Sequence, residues 1–481
     1  MAMLPRRGAG MDDRPPAKRP TGVRAALRIT TSRIYTSPAH LVNDTILMFM
    51  ALFGFQISTS GHLEIGGVDA AELVREFGTP LHVLDEDRLR RNCRAYTAAM
   101  AAEYDNGRVI FGSKACCILA TCQIAHQEGL GLDVASGGEI YTALRAAVPS
   151  ADLYFHGNNK TPDEIDYALR VGVGRFIVDN EYELTLLEAA TARLGVDANV
   201  LLRLTPGIEP HTHKSIQTGG VDSKFGFGIF DGAASRAVDR ARKIPRMRLR
   251  GLHAHIGSQV FDLEPFRASA TALMDFAARI RDDFDVTVEE LNLGGGLAIR
   301  YLHTDEPPSI QSYVATLAHT VKAKLAEHRL SPPTLSCEPG RSIVGDAGVT
   351  LYTVGAIKAI PGVRTYVSVD GGMFENPRPA LYGARYEAVM ATRPEATPTQ
   401  TAAVAGRCCE SGDVLVWDAQ LPEVKPGDVL ATFSTGAYTY SMASNYNRFP
   451  RPAVVLVGSG RARVVVERET YDDMIRKDVA L

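Results

Sequence analysis

Between about residues 108 and 340 the chain alternates short, nearly continuous apolar runs with longer stretches of helical period. The runs are Val109–Phe111, Gly131–Ala135, Asp152–Phe155, Arg175–Val178, Val200–Leu204, Arg250–His255, Glu290–Leu293 and Thr334–Cys337. Strands without polar alternation are buried on both faces, as in a parallel sheet covered by helices. Glu164 to Val171, Glu181 to Leu194 and Pro265 to Arg281 carry the amphipathic period that predicts such helices. Eight strand–helix units over this length predict an α/β fold of the closed (β/α)8 TIM-barrel type, whose usual size is about 250 residues.

After residue 342 the pattern changes. Val349 to Ile360, Thr365 to Val369, Ala402 to Ala405, Asp413 to Trp417, Asp428 to Phe433 and Val454 to Val466 are β-branched runs broken by Gly, Pro and Asp turns. They predict a C-terminal, mainly antiparallel β domain. Gly61–Gly66 and Pro80–Leu84 precede the barrel and are expected to add N-terminal strands to that domain. The expected division is an atypical extension over 1–55, N-terminal strands over 56–85, the barrel over 86–341 and the β domain over 342–481.

The polar residues fall in phase with the barrel pattern. Lys114, Asp133, His156, Asp179, Arg203, His255, Gly294 and Glu338 each stand at or just beyond the C-terminal end of a predicted strand. Barrel enzymes build their sites on that rim. Any one of these residues could be a plain strand-end cap, but eight in phase predict an active site.

Composition narrows the function classes. At 45% hydrophobic and 22% charged residues the chain has the balance of a soluble globular protein. A formal net charge of −3 gives no electrostatic ground for a nucleic-acid partner. Seven cysteines, an odd number without a C-x-x-C pair, and histidines without an H-E-x-x-H motif predict a reduced, cytoplasmic protein without a structural metal. The first 35 residues are basic and rich in proline and read as disordered, with a transit peptide as the alternative. The apolar run Ile46–Phe55 is ten residues long, where a membrane span needs about twenty, so it is expected to pack on the folded body.

Four local patterns carry chemistry. Lys114 ends a strand among the small residues Gly112, Ser113 and Ala115, where a flat ring can approach a Schiff-base amine; alone it reads more readily as a solvated strand-end lysine. Gly294, Gly295 and Gly296 follow a strand and open a segment whose amides can meet a phosphate, or simply turn. Glu338, Pro339, Gly340 and Arg341 offer a carboxylate for a pyridine nitrogen and a two-pronged cation, or a strand-end ion pair. His253 and His255 have strand spacing; one could stack on a cofactor while Ser258 binds phosphate, with a pair of metal ligands as the rival reading. Together with a late Cys409–Glu410 pair, this is the inventory of an enzyme using pyridoxal 5'-phosphate.

The chain resembles the diaminopimelate decarboxylases, which share their fold with alanine racemase and eukaryotic ornithine decarboxylase. The resemblance runs from about Gly61 to the C-terminus and rests on Gly131–Glu139, His255–Gln259, Glu338–Val344, Asp370–Met373, Asn376–Tyr382, Cys409–Asp413, Gly436–Tyr438 and Ser441–Tyr446. It implies Lys114 as the cofactor-bearing lysine, His255 as the ring-stacking residue and Glu338 at the pyridine nitrogen. Ser258, Gly294 to Gly296, Arg341 and Tyr438 would hold the phosphate region, and Arg341, Arg378, Tyr382, Glu410 and Tyr438 the substrate. Cys409 would return a proton to the decarboxylated carbon, reaching with Glu410 into the site of the partner subunit of a homodimer. The implied reaction is decarboxylation of meso-2,6-diaminopimelate at its D-centre to L-lysine, the last step of lysine biosynthesis.

Diaminopimelate keeps an ammonium and a carboxylate at its non-reacting end, which suits two arginines opposed by a glutamate. A substrate ending in an ammonium alone would be repelled. The alternatives are a decarboxylase of ornithine, arginine or carboxynorspermidine, or a non-catalytic homologue. The chain departs from the family pattern at Phe111 and Cys116, which flank the lysine motif, and at Cys408, where many members have histidine.

Overall fold

A computed structural model of the chain describes residues 51–208 and 222–481. The basic leader and residues 46–50 of the apolar run lie outside the described residues. Within them, eight parallel strands form a closed barrel: Gly107–Gly112, Gly131–Val134, Leu153–Phe155, Arg175–Val178, Ala198–Thr205, Met247–His253, Glu290–Asn292 and Thr334–Cys337. Each pairs with the next, and the last pairs with the first through Leu335 and Gly107. All eight predicted runs became strands, shifted at their ends by a few residues.

The period of two divides each strand between two environments. In the first strand Val109 and Phe111 join the large core beneath the helices. Ile110 instead meets Tyr154, Ile177 and Leu201 in a separate apolar cluster that fills the barrel interior. The helices start and stop where local chemistry dictates. Pro162–Val171 opens on a capping box made by Thr161 and Glu164 and closes on Gly172 at φ 76°. Glu181–Leu194 is capped by Asn180, whose side chain accepts from the Glu183 amide, and closes on Gly195.

The second domain is a β sheet in the order Val414–Leu421, Gln400–Ala405, Arg364–Val369, Gly348–Ile360, Leu81–Asp85, Ala453–Gly458, Arg461–Val466. Leu81–Asp85 is not at its edge. It lies antiparallel to Gly348–Ile360 and parallel to Ala453–Gly458, and all five of its residues are buried, which is the environment of a central strand. The Gly61–Gly66 stretch instead makes a small antiparallel sheet of its own from Gln56–Ile57, Leu63–Ile65 and Val68–Asp69. Turns at Gly61 and Gly66–Gly67, all with positive φ, leave too few residues between them for a long strand.

The described part of the apolar run packs on this domain. Phe53 and Phe55 each stack on Phe433 with ring centres 5.0 Å apart. Such contacts add about 0.5–1.5 kcal/mol each beyond the area they bury. No helix among the described residues is long and apolar enough to cross a membrane.

Candidate active site

The rim of the barrel and one loop of the second domain enclose a single cleft. Lys114, His255, Ser258, Gly296, Glu338, Gly340, Arg341 and Tyr438 all line it. Strand ends deliver the barrel residues. The second domain delivers Tyr438, on a loop that docks against the Lys114 turn: the Tyr438 amide and the Ser441 hydroxyl both donate to the Ala115 carbonyl, at 2.8 and 3.1 Å.

Lys114 sits in a one-turn 3-10 segment directly after the first strand, and its Nζ is paired with the carboxylate of Asp133 at the end of the second. Burial works against the ammonium, but Asp133, Tyr438 and Glu338 outweigh it and hold the amine charged above its usual range. Asp133 is itself fully enclosed, so this cation is the partner that makes its burial tolerable.

Glu338 is the most elaborately held group. Asn292 donates to Oε1 at 2.7 Å, His253 Nε2 lies 3.1 Å from Oε2, and His156 Nε2 lies 2.9 Å from Oε1 but out of hydrogen-bonding line. Burial would raise its pKa; His156 and His253 overcome that and push it well below the usual carboxylate range. Burial pushes His253 down to about 4. The donor atoms of His156, His253 and Glu338 lie within 4.8 Å of one another, close enough to surround a metal ion, yet here they and Asn292 organise one carboxylate.

The glycine triplet divides its work. The Gly294 amide donates to Asn292 Oδ1 at 3.0 Å, and the Gly295 amide donates to His255 Nδ1 at 3.1 Å. Nδ1 of His255 is therefore the acceptor and its proton sits on Nε2. Burial, reinforced by Lys114 and Arg203, keeps that ring neutral. Only the Gly296 amide, at the cleft, has no acceptor among the described residues. No side chain fits at Gly295, where a Cβ would lie 2.0 Å from the Glu338 carbonyl oxygen.

Arg341 donates through Nε and Nη2 to Ser258 at 3.1 and 2.8 Å, and through Nη1 to the Tyr301 hydroxyl. Its guanidinium also stacks on Tyr438 at 4.8 Å. Arg378, in the short helix Arg378–Tyr382, lies behind it, stacked on Tyr301 at 4.8 Å and donating to the Tyr386 hydroxyl. Both arginines are buried, and neither has a carboxylate partner among the described residues. Tyr382 is half-buried on the same helix. Tyr301 and Tyr386 are the site residues that sequence reasoning missed. Their only signal was proximity in the chain, Tyr301 to the glycine triplet and Tyr386 to Arg378.

Cys409 and Glu410 are exposed and do not line the cleft of their own chain. Their loop is well anchored. The Cys408 and Met373 amides both donate to Asp413, each at 2.7 Å, and the Cys409 amide donates to Asn447 at 2.8 Å. Cys408, the departure noted in the sequence, is buried, and burial with the Asp413 carboxylate pushes its thiol up to about 12.

A cleft with a half-buried lysine, a fixed carboxylate and arginines without a carboxylate partner among the described residues, at the mouth of such a barrel, defines a class. Residues 86–345 match the model of the pyridoxal-dependent decarboxylases, pyridoxal binding domain, and the chain belongs to that family. Within it the chain belongs to the diaminopimelate decarboxylases. It is 49% identical to the diaminopimelate decarboxylase of Bacillus subtilis, over 87% of this chain and 95% of that one. It is 48% identical to that of Halalkalibacterium halodurans, over 89% and 97%. The structure of diaminopimelate decarboxylase from M. jannaschii in complex with L-lysine superposes with a TM-score of 0.82 at 36% identity, covering 89% of this chain and 98% of that one.

The residues present fit the cofactor that this family uses. The Gly296 amide at the cleft has no acceptor among the described residues, and an amine and a charged carboxylate face the same cleft.

Proposed function

We propose that the chain decarboxylates meso-2,6-diaminopimelate at its D-centre, giving L-lysine and carbon dioxide, with pyridoxal 5'-phosphate held on Lys114. The observation that carries this reading is the pair of buried guanidiniums, Arg341 and Arg378, without a carboxylate of their own beside a lysine-bearing cleft. Buried cations of this kind call for anions from the ligand. The cofactor's phosphate satisfies part of that demand, and a carboxylate at the far end of the substrate satisfies the rest.

Lys114 would hold the cofactor's aldehyde carbon and Glu338 its ring nitrogen, with Ser258, the Gly296 amide, Arg341 and Tyr438 at the phosphate end and neutral His255 against the ring; the Gly294 and Gly295 amides, engaged with Asn292 and His255, would shape that cradle rather than bind. When bound, that group supplies an aromatic cation able to accept the electron pair left by departing carbon dioxide. Glu338, kept ionised by His156 and His253, holds the proton at the ring nitrogen. Lys114 Nζ would carry the cofactor until the substrate amine displaces it, and the freed amine would keep its charge balanced by Asp133. Arg341 and Arg378 with Tyr382 orient the far carboxylate, so that the reacting carbon alone faces the cofactor.

The proton donor comes from a second copy of the chain. Cys409 and Glu410 are exposed on a firmly held loop outside their own cleft, which supports a homodimer in which each loop completes the other's site. The Cys409 thiol then protonates the decarboxylated carbon and Glu410 meets the far ammonium. Seven unpaired cysteines, the proposed catalytic Cys409 among them, support a cytoplasmic setting.

Turnover with meso-diaminopimelate, ornithine and arginine tests the assignment. Lysine release from the first alone is expected; comparable turnover of ornithine would overturn it.

A further inference from the structure

Tyr301 touches both buried arginines. Its hydroxyl accepts from Arg341 Nη1, and the Arg378 guanidinium lies over its ring at 4.8 Å. Tyr386 meets the same ring edge-on at 5.4 Å and takes a hydrogen bond from Arg378 on its own hydroxyl. Two guanidiniums so placed repel one another, and burial strengthens the repulsion. An electron-rich ring face and a phenolic oxygen set between them offset it.

The backbone that carries Tyr301 is fixed from three sides. Gln259 exchanges two hydrogen bonds with the Ile299 backbone, at 2.8 and 3.2 Å. Ser434 of the second domain donates to the Arg300 carbonyl at 2.7 Å. Asp305 accepts from the Tyr301 and Leu302 amides, each at 2.9 Å. A residue anchored so firmly dictates where its neighbours' flexible side chains come to rest.

We propose that Tyr301 is a specificity-positioning residue: it sets the separation and orientation of Arg341 and Arg378, so that the pair grips a carboxylate at the far end of an extended substrate and disfavours one ending in an ammonium alone. This rests on the substrate class proposed above and adds the residue that enforces it. Tyr301 needs no contact with the substrate; it acts through the two arginines. Burial raises the phenol's pKa, but the two guanidiniums outweigh burial and draw it below its usual range, in keeping with its place between them.

L-Lysine and cadaverine test this, since they share a chain and an amine and differ in the carboxylate. Their binding to the cofactor-loaded protein is measured by calorimetry for the native protein, Tyr301→Phe and Tyr301→Leu. The native protein is expected to prefer lysine by about a hundredfold or more. Tyr301→Phe keeps the ring and loses the acceptor, and should narrow that preference about tenfold, almost wholly by weakening lysine. KM for diaminopimelate should rise by a similar factor while kcat falls far less, with the cofactor's visible absorbance unchanged. Tyr301→Leu, which also removes the ring face, should narrow the preference further. A Tyr301→Phe protein that keeps the native ratio overturns the proposal. So does one that loses lysine and cadaverine in parallel with a fall in melting temperature, because that is the signature of a merely structural role. A native protein that fails to distinguish the two ligands sinks the substrate assignment and this proposal with it.

Discussion

The Lys114 cleft and the Cys409 loop belong to one chain but are prepared in opposite ways. In the cleft the amine and the carboxylate already have their counterparts: Lys114 has Asp133, and Glu338 has Asn292, His253 and His156. Cys409 and Glu410 are exposed, and only the backbone beneath them is fastened. The cleft is preorganised for a ligand, whereas the loop presents its side chains outward. On the proposed dimer, a single chain would be complete for cofactor binding and incomplete for turnover.

The largest effect should come from the cleft. Lys114→Ala is expected to abolish the visible cofactor band and to lower kcat by about three orders of magnitude or more; a retained band would break the assignment of the cleft. Cys409→Ala should leave the band intact and lower turnover by about two to three orders of magnitude. Mixing these two inactive proteins under conditions that exchange subunits sharpens the comparison most. If each loop serves the other chain's cleft, half of the dimers carry one intact site, and about a quarter of native activity returns. No recovery, with mixed dimers demonstrated, would place the loop in its own chain's site.

Glu338→Gln should lower kcat about a hundredfold while Lys114 still carries the cofactor, separating charge at the ring nitrogen from attachment. Spectroscopy and turnover on one sample decide it.

The smallest effect concerns the platform under the loop. Glu375 is fully buried, with its Oε2 3.3 Å from His82 Nε2 and its Oε1 accepting from Tyr352 at 2.7 Å. The Arg407 amide, at the start of the Cys409 loop, donates to Gly371 of the same 370–376 segment. Burial raises Glu375 to about 8 and lowers His82 to about 3. A carboxyl with a raised folded pKa binds protons better folded, so its contribution is lost as pH climbs toward 8. His82 has the opposite sign, and its effect is confined below its ordinary value near 6.5. Between about pH 6.5 and 8, Glu375→Gln should therefore remove about 1–2 kcal/mol of the native protein's decline in stability. Denaturation midpoints at the two pH values measure it.

The barrel was legible because its information is local. Apolar runs such as Arg175–Val178 and Thr334–Cys337 carry their two-sided burial in their own composition, and the observed strands match those bounds. The clustering of Lys114, His255, Glu338 and Arg341 followed from their phase at strand ends, since closure of the barrel brings such positions together. What stayed hidden depends on partners distant in the chain. Leu81–Asp85 holds no mark of its central place, because its neighbours come from beyond residue 347. Tyr301 reads as one more aromatic until Arg378 arrives from the second domain. The inward hydrogen bond of the Gly295 amide could not be seen either, because a glycine triplet looks the same whether its amides face a ligand or a histidine.

The central strand Leu81–Asp85 has a consequence for synthesis. It leaves the ribosome long before either flanking strand exists, and the whole barrel must be threaded out before Ala453–Gly458 can close its second side. A message cut short before that point yields a polypeptide with a folded barrel beside a sheet whose raw edge stays open to foreign pairing. The 453–466 hairpin is therefore the piece that covers the open side of this strand.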